Sequence, residues 1–433
     1  MKKTLVILLA LLLGVSLGAQ RTGVREEVRA DWIKSSGLDC VNDWSPKAAT
    51  PAPKGYEPVY ISHYGRHGSR YAYTEKAYSV LRDMLLDGRA QDNLTPYGED
   101  LLARFEPFWE AVRYRVGDLT EIGWDQHQVI ARTMVSSFPS VFVKGCTVDA
   151  CASPSVRSII SMSSCCAALS RLVPKARIYE HQGLMDVQAT RPNTGTNPFR
   201  YQGPKEAFPF PESSEEFFLR RFPGYRDVLA RLFKDPDAGL GGRNAYDVFF
   251  NLYMFVGGMN SLPENIRMDV DGFFTVEEYA TLWEIDNYER YREYRPYRTA
   301  CCSIVDDMVE KAEWALAEGR RGAHLRYGHD HVVMSLEMIM DLDDFDHVPE
   351  KADELVYWFQ TFRSPMAANI QLVFYTPKRH RKGDTLVKVL LNGEEARFGK
   401  LAAFSGPYYR WEDVKAYLAE RTDRFVTRPW ETE

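Results

Sequence analysis

The sequence predicts an α/β fold with a mainly parallel central sheet, helices on both faces of that sheet and an inserted, mostly helical cap domain. Before residue 180, and again after 301, short apolar runs alternate with segments of helical apolar spacing, which is typical of a parallel sheet. In between, strand-like runs disappear, and prolines and aromatic residues become frequent. We therefore predict an α/β core formed by 55–180 and 301–433, with 181–300 as the cap.

The first part of the core starts with the apolar run Val59-Tyr60-Ile61, which predicts a strand that ends in a glycine-containing loop. A second run, Val141-Phe142-Val143, predicts the next strand. Apolar residues at helical spacing around these runs predict helices over 78–86, 97–116, 121–138 and 159–172.

The cap and the second part of the core follow the same patterns. Asn392-Gly393, after the last apolar run, is a dipeptide typical of tight hairpin turns. The predicted elements are, in order, cap helices over 215–222, 225–233 and 246–255, then a helix over 301–318, a strand over 323–326, a helix ending at 340, strands over 369–375 and 385–391, and a helix over 411–420.

The first 54 residues are predicted to lie outside both domains. Two lysines precede the apolar run from Leu5 to Leu13, and small residues follow it, which predicts a secretory signal peptide over 1–19; an uncleaved anchor is the alternative. Residues 20–54 are polar, contain three prolines and predict a lead-in with little periodic order. We expect a periplasmic or secreted protein with no stable membrane insertion after signal cleavage.

Charge and cysteine content limit the partners and the cross-links. A net charge of −6 argues against a nucleic-acid partner and favours a small anionic ligand held in a locally cationic pocket. The seven cysteines are an odd number, so at least one is unpaired or pairs between chains. Cys146 and Cys151 are close enough in sequence to staple a hairpin, whereas the pairs Cys165-Cys166 and Cys301-Cys302 are expected to be buried thiols.

A basic loop directly follows the first predicted strand and reads Arg66-His67-Gly68-Ser69-Arg70. Two guanidinium groups can hold a phosphate through charge-assisted, bidentate hydrogen bonds, and an imidazole between them can attack the phosphorus. The glycine allows the backbone to approach a ligand closely. The alternative is a surface turn that is merely basic.

Three further segments match this loop in chemistry. Gly328-His329-Asp330-His331 follows a strand, Leu119 to His127 reads L-T-x-x-G-x-x-Q-H, and Ser153 to Ser158 contains Arg157. Together with the basic loop, they resemble the histidine acid phosphatases, the second branch of the histidine phosphatase superfamily, over most of the chain after residue 55.

The resemblance implies that His67 is the nucleophile and forms a phosphohistidine, that Asp330 donates the proton, and that no metal or cofactor takes part. It also implies that the phosphate is held by Arg66, Arg70, Arg157 and His329. The sequence departs from the family in having a histidine, His331, where a small hydroxyl or amide residue commonly follows the aspartate.

These features predict a metal-independent acid phosphatase for inositol polyphosphates or sugar phosphates. One alternative is a metal-dependent phosphoesterase that uses His329 and His331, although neighbouring arginines would repel a divalent cation. The other alternative is a non-catalytic protein that binds phosphate esters. A calcium loop near Asp269 is disfavoured, because Arg267 would occupy its first ligand position and Thr275 with Glu278 fits a helix capping box instead.

Two other segments are candidates for contact with the substrate. The stretch 191–205 contains Arg191, Asn193, Arg200 and Lys205 and predicts a specificity loop. The run 288–298 is dense in arginine and tyrosine and is interpreted mainly as a solvated helix face, from which one or two arginines reach the pocket.

Overall fold

The computed structural model describes residues 21–42, 44–193, 201–204, 206–378 and 384–426. The predicted signal peptide lies outside these residues. Within them, no helix is long and apolar enough to cross a membrane. The strands are β1 (Tyr56–Arg66), β2 (Thr147–Ala152), β3 (Arg177–His181), β4 (Gly322–Gly328), β5 (Asn369–Pro377), β6 (Leu386–Leu391), β7 (Glu394–Glu395) and β8 (Tyr409–Arg410).

The helices include every long helix that the sequence predicts. They are α1 (Val24–Ala30), α2 (Lys76–Ala90), α3 (Pro96–Val112), α4 (Glu121–Ser137), α5 (Val156–Leu172), α6 (Val187–Thr190), α7 (Ser214–Arg221), α8 (Tyr225–Leu232), α9 (Pro236–Leu240), α10 (Ala245–Gly258), α11 (Val276–Tyr294), α12 (Arg298–Ala317), α13 (Asp330–Met340) and α14 (Trp411–Asp423).

The strands form one mixed sheet in the order β3-β2-β4-β1-β5-β6-β7, with β8 paired to β6. From β3 to β1 the neighbouring strands run parallel, and from β1 onward they run antiparallel. The core strands are therefore parallel, as predicted. Asn392 and Gly393 have φ values of 55° and 82° and join β6 to β7, which confirms the predicted hairpin turn.

Helices cover both faces of this sheet, as the sequence predicts. Along β5, alternate residues point to opposite faces: Leu372 joins the apolar cluster that contains α12, α13 and α14, whereas Val373 joins the cluster that contains α4 and α5. This period of two is what a strand that is buried on both faces requires. The α/β class is confirmed.

A third apolar cluster joins the cap helices to α2 and α3. Phe105 of α3, for example, stacks on Phe255 of α10 with ring centroids 5.4 Å apart. The helices α2 and α3 thus pack on the cap although they precede it in sequence. The division into core (55–180 and 301–433) and cap (181–300) stays a prediction about domain boundaries.

Several local predictions are wrong. Val141-Phe142-Val143 forms a turn, and the strand is β2, which starts at Thr147. The lead-in contains α1, because Val24 and Val28 lie one helical turn apart and are both buried. The same segment continues into a 3₁₀ helix at Lys34–Asp39.

The predicted disulfide staple is also wrong. Cys146 directly precedes the extended strand β2 and Cys151 lies near its end, which separates them by about 17 Å at ~3.3 Å per residue. All seven cysteines are buried, and no disulfide joins any two of them in the described part of the chain.

Candidate active site

The two histidine motifs meet at one edge of the sheet. Strands β1 and β4 are parallel neighbours, so the residues that follow them, His67 and His329, lie at the same end. The backbone N–H of His67 donates to the carbonyl oxygen of Gly328 at 3.0 Å. Ligand sites in α/β sheets commonly lie outside the carboxyl ends of the strands. The parallel pairing of β1 and β4 thus brings together His67 and His329, which are 262 positions apart in the sequence.

Helix α4 supports the basic loop, which explains the L-T-x-x-G-x-x-Q-H pattern. The side chain of Gln126 accepts from the Ser69 N–H at 2.8 Å and donates to the Ser69 hydroxyl at 3.1 Å. Thr120, the N-cap of this helix, donates through its hydroxyl to the Ser69 carbonyl at 3.0 Å. Gly68 and Gly123 allow the loop and helix backbones to touch. The pattern therefore positions the loop rather than contacting a ligand.

We expect Gly123→Ala to weaken both folding and activity. A Cβ at Gly123 would lie 2.2 Å from the carbonyl oxygen of Ser69, so the basic loop would have to shift. An overpacking contact of this kind costs about 1–3 kcal/mol. Gly258→Ala is the matched control, because a Cβ there meets nothing within 4 Å. Thermal unfolding and kcat on one phosphomonoester measure both effects, and equal behaviour of the two variants would contradict this role of Gly123.

His67 is held as a neutral imidazole. Its Nδ1 lies 2.9 Å from the carbonyl oxygen of Gly68, which can only accept, so Nδ1 carries the proton and Nε2 keeps its lone pair. Burial lowers the pKa of His67 well below 6.5, and the positive charges of Arg157, Arg66 and Arg70 lower it further. The ring lines a cavity of about 210 Å³. A neutral nitrogen nucleophile is therefore available even in acid.

Arginines surround Nε2 of His67, and some of their N–H groups have no acceptor in the described part of the protein. Arg70 and Arg157 line the cavity beside His67, and Arg191 joins them. The buried Nε atoms of these three residues have no hydrogen-bond partner in the described part of the chain. Burial, together with repulsion from Arg70, lowers the pKa of Arg157 to about 10. Clustered buried cations with free donors are the arrangement that an anionic ligand stabilises.

Arg66 is placed differently from the other predicted phosphate ligands. Its side chain is completely buried, and one terminal nitrogen donates to the carbonyl oxygens of Leu38 and Ser364 at 2.5 and 2.8 Å. The other terminal nitrogen donates to Oδ2 of Asp330 at 3.1 Å. Arg66 thus holds Asp330 in place, and its direct contact with phosphate stays a prediction.

His329 and Asp330 start helix α13 at the cavity wall. The Nε2 of His329 is 3.0 Å from the hydroxyl of Ser153, and its ring centroid is 5.7 Å from that of His67. Burial raises the pKa of Asp330, but the charge of Arg66 and the contact with His331 outweigh it and hold that pKa well below 3.8. Asp330 is therefore ionised in the ligand-free site, and it needs an added proton before it can act as an acid.

The cap closes the opposite side of the cavity with residues that sequence reasoning located only in part. Arg191 and Asn193 line it as predicted, whereas Arg200 and Lys205 lie outside the described residues. Arg290 of α11, one of the arginines of the run 288–298, lines it as predicted, and its guanidinium pairs with Asp286 at 3.1 Å. Burial raises the pKa of Asp286 to about 6. The remaining wall residues that no motif indicated include Ser36, Asp39, Tyr73 and Tyr253.

The alternative metal sites gain no support from the geometry. Within the described residues, no group of three or more His, Cys, Asp or Glu side chains is arranged to hold a metal ion. Thr275 and Glu278 form a capping box at the start of α11, as predicted. His63 is buried against Tyr327 on β4, and burial lowers its pKa to about 3, which is consistent with a structural role.

Comparison with known proteins gives matches in structure alone. No family model and no curated protein matches the sequence. The multiple inositol polyphosphate phosphatase of Bifidobacterium longum, solved with inositol hexasulfate, superposes with a TM-score of 0.67 at 16% identity, over 92% of this chain and 99% of that one. The chain thus has the same fold as this phosphatase over almost its whole length.

Two phytases are similar as well. The phytase from D. castellii gives a TM-score of 0.58 at 13% identity, over 90% of this chain and 85% of that one. The Hafnia alvei phytase, solved with tartrate, gives 0.54 at 11% identity, over 87% of this chain and all of the other. These neighbours have the histidine acid phosphatase fold, which confirms the resemblance seen in the motifs.

Proposed function

We propose that this protein is a metal-independent acid phosphatase that hydrolyses phosphomonoesters through a phosphohistidine intermediate. One observation carries the proposal: an imidazole whose Nε2 is unprotonated faces a cavity that also contains buried arginine donors without acceptors. A phosphate group has the charge and the acceptor geometry that these donors require. The shared fold of a phosphatase and two phytases supports the same activity.

The reaction has two steps at His67. First, Nε2 attacks the phosphorus while the bond to the leaving-group oxygen breaks, and Asp330 gives that oxygen a proton. The arginines and His329 neutralise the charge on the transferred phosphoryl group, the role that metal ions have in many other phosphoryl transfers. In the second step, water attacks the phosphorus while the bond to Nε2 of His67 breaks, a proton of the water passes to Asp330, and inorganic phosphate leaves.

We propose inositol polyphosphates or sugar phosphates as the substrates. Arg191 adds positive charge beyond the three arginines of the predicted phosphate cradle, which suits a substrate with more than one phosphate. The solved neighbours include a phosphatase named for inositol polyphosphates. We also propose that the protein acts in the periplasm or after secretion, because of its N-terminal sequence pattern.

A substrate panel tests this function. Release of inorganic phosphate is measured at pH 4.5 to 7.5 from inositol hexakisphosphate, glucose 6-phosphate and 4-nitrophenyl phosphate, with wild-type protein and with a His67→Ala control. We expect His67-dependent release from all three, with the highest kcat/KM on one of the two alkyl phosphates. Binding of phosphate without turnover of any of them would favour the non-catalytic alternative.

Chelation should leave the activity unchanged, because the arginines supply the positive charge that a metal ion would otherwise supply. The measurement compares kcat before and after dialysis against a strong chelator, at the pH of highest activity. A matched sample receives zinc or manganese after dialysis. Loss of activity that either metal restores would favour the metal-dependent alternative at His329 and His331.

A further inference from the structure

His331 is the residue at which the second motif departs from the pattern of the family it resembles, and the proposed mechanism leaves it without a role. Its backbone N–H donates to Oδ1 of Asp330 at 2.9 Å, and its ring Nδ1 is 3.5 Å from the same oxygen. Its ring Nε2 is 3.2 Å from Oδ1 of Asn193. Both ring nitrogens therefore face an oxygen atom.

The ring is fixed in this orientation by its neighbours. It stacks on His329 with an interplanar angle of 6° and a centroid distance of 5.5 Å. Tyr297 and Tyr294 pack against it, with centroid distances of 5.1 and 5.8 Å. The polar atoms described at the two nitrogens, Oδ1 of Asp330 and Oδ1 of Asn193, are both acceptors, so a ring protonated on both nitrogens would direct each N–H toward an acceptor.

From this arrangement we infer that His331 and Asp330 act together as a two-residue acid, in which His331 stores the proton that Asp330 delivers. The inference rests on the proposed phosphatase function and adds a positioning residue to it. It resolves a difficulty of that function, since the ligand-free carboxylate is paired with Arg66 and carries no proton of its own. Two groups that interact this closely titrate as a pair.

The proton balance of the step is as follows. When the phosphomonoester binds, its negative charge favours a neutral carboxyl, and the proton moves from Nδ1 of His331 to the Asp330 carboxylate. Asp330 then protonates the leaving-group oxygen as the P–O bond breaks. His331 remains neutral and keeps its Nε2 proton toward Asn193. In the second step Asp330 takes a proton from the attacking water and returns it to Nδ1.

Charged groups from several elements face the pair of His331 and Asp330. Arginines come from α5, from the residues after α6 and from α11. A further carboxylate, that of Glu293, comes from α11. The charged and titratable groups around the pair are Arg66, His67, Arg157, Arg191, Arg290, Glu293, Tyr294, Tyr297, His329 and Asp330.

The first test is the pH profile of His331→Gln. Glutamine keeps an amide at this position but does not titrate, so the stored proton is lost. For an alkyl phosphate we expect kcat at pH 7.5 to fall about tenfold or more, and kcat at pH 4.5 to change less than about twofold. For 4-nitrophenyl phosphate the fall at pH 7.5 should be small, which also reports that the variant is folded. His347→Gln is the control, because His347 is an exposed histidine that contacts Trp358 outside the cavity.

The second test is a variant that should extend the activity toward alkyl phosphates to higher pH, whereas His331→Gln should reduce it there. Asn193→Asp places a carboxylate at Nε2 of His331, which should raise the pKa of the imidazole and extend the alkaline limb for alkyl phosphates to higher pH. NMR titration of the His331 ring should show the same shift. An unchanged alkaline limb in both variants, or an equal loss for alkyl and aryl phosphates at every pH, would overturn the inference. Failure of the proposed function differs, since the wild type would then show no His67-dependent hydrolysis.

Discussion

Replacing His67 with alanine should abolish hydrolysis and leave phosphate bound. We expect kcat to fall by on the order of 10³-fold or more, because His67 supplies the unprotonated Nε2 that faces the cavity beside Arg70 and Arg157. Phosphate affinity should fall only severalfold, since Arg70, Arg157 and His329 remain. Steady-state kinetics and calorimetric binding of inorganic phosphate measure the two quantities on the same preparation.

A trapping experiment separates a nucleophile from a residue that merely supports the site. Wild-type protein mixed briefly with a phosphorylated substrate and denatured in alkali should carry an acid-labile phosphate on His67. His347→Ala, at an exposed histidine, is the control for the substitution itself and should behave as the wild type. Residual kcat above roughly a few per cent in His67→Ala, or a label on another residue, would exclude the covalent route.

The protonation state of His67 also determines whether the enzyme is active at acidic pH. An ordinary histidine is mostly protonated below pH 6, and a protonated nitrogen cannot attack. Because burial and three arginines hold the pKa of His67 well below 6.5, protonation of the nucleophile is delayed to more acidic pH. The same arginines that bind the phosphate thus keep the nucleophile active in acid.

The centre of the site could be predicted from sequence because it depends on strand ends. His67 and His329 each follow an apolar strand, and parallel neighbours bring such positions together regardless of their separation in the chain. No comparable rule predicts which residues form the wall of the cavity on the side of the cap. Asp39 sits at the end of a 3₁₀ helix in the lead-in, and Asp286 lies within a long helix, so their meeting at the cavity depends on tertiary packing that no local pattern encodes.

Similar reasons explain the errors in the fold. The dense arginines and tyrosines of the run 288–298 predict a mainly solvated helix face, yet Tyr288, Tyr291 and Tyr294 are buried. A tyrosine can be buried when its hydroxyl finds an acceptor, as Tyr288 does at the carbonyl oxygen of Glu212. The strand β2 lies inside the sheet, between β3 and β4. Its sequence does not predict a strand, because Asp149 and the small residues around it interrupt the apolar run.

Asp330→Asn should produce a loss that depends on the leaving group. Asparagine keeps the shape and the acceptor oxygen near Arg66 but cannot give up a proton as an acid. The alkoxide that leaves from an inositol or sugar phosphate is strongly basic and needs that proton, whereas 4-nitrophenolate needs it little. We expect the rate of phosphoryl transfer to fall by on the order of 10²- to 10⁴-fold for alkyl phosphates and far less for the aryl ester.

Single-turnover measurements on both substrate types decide this prediction, because they isolate the chemical step from product release. A substitution of Arg66 tests the same carboxylate independently. Arg66→Lys keeps a positive charge but loses the planar guanidinium that contacts Oδ2 of Asp330. If Asp330 is the acid, Arg66→Lys should also affect alkyl phosphates more than aryl phosphates, although less severely. Equal losses for both esters in Asp330→Asn would mean that Asp330 mainly orients His329 and Arg66, and that the leaving group is protonated by another residue.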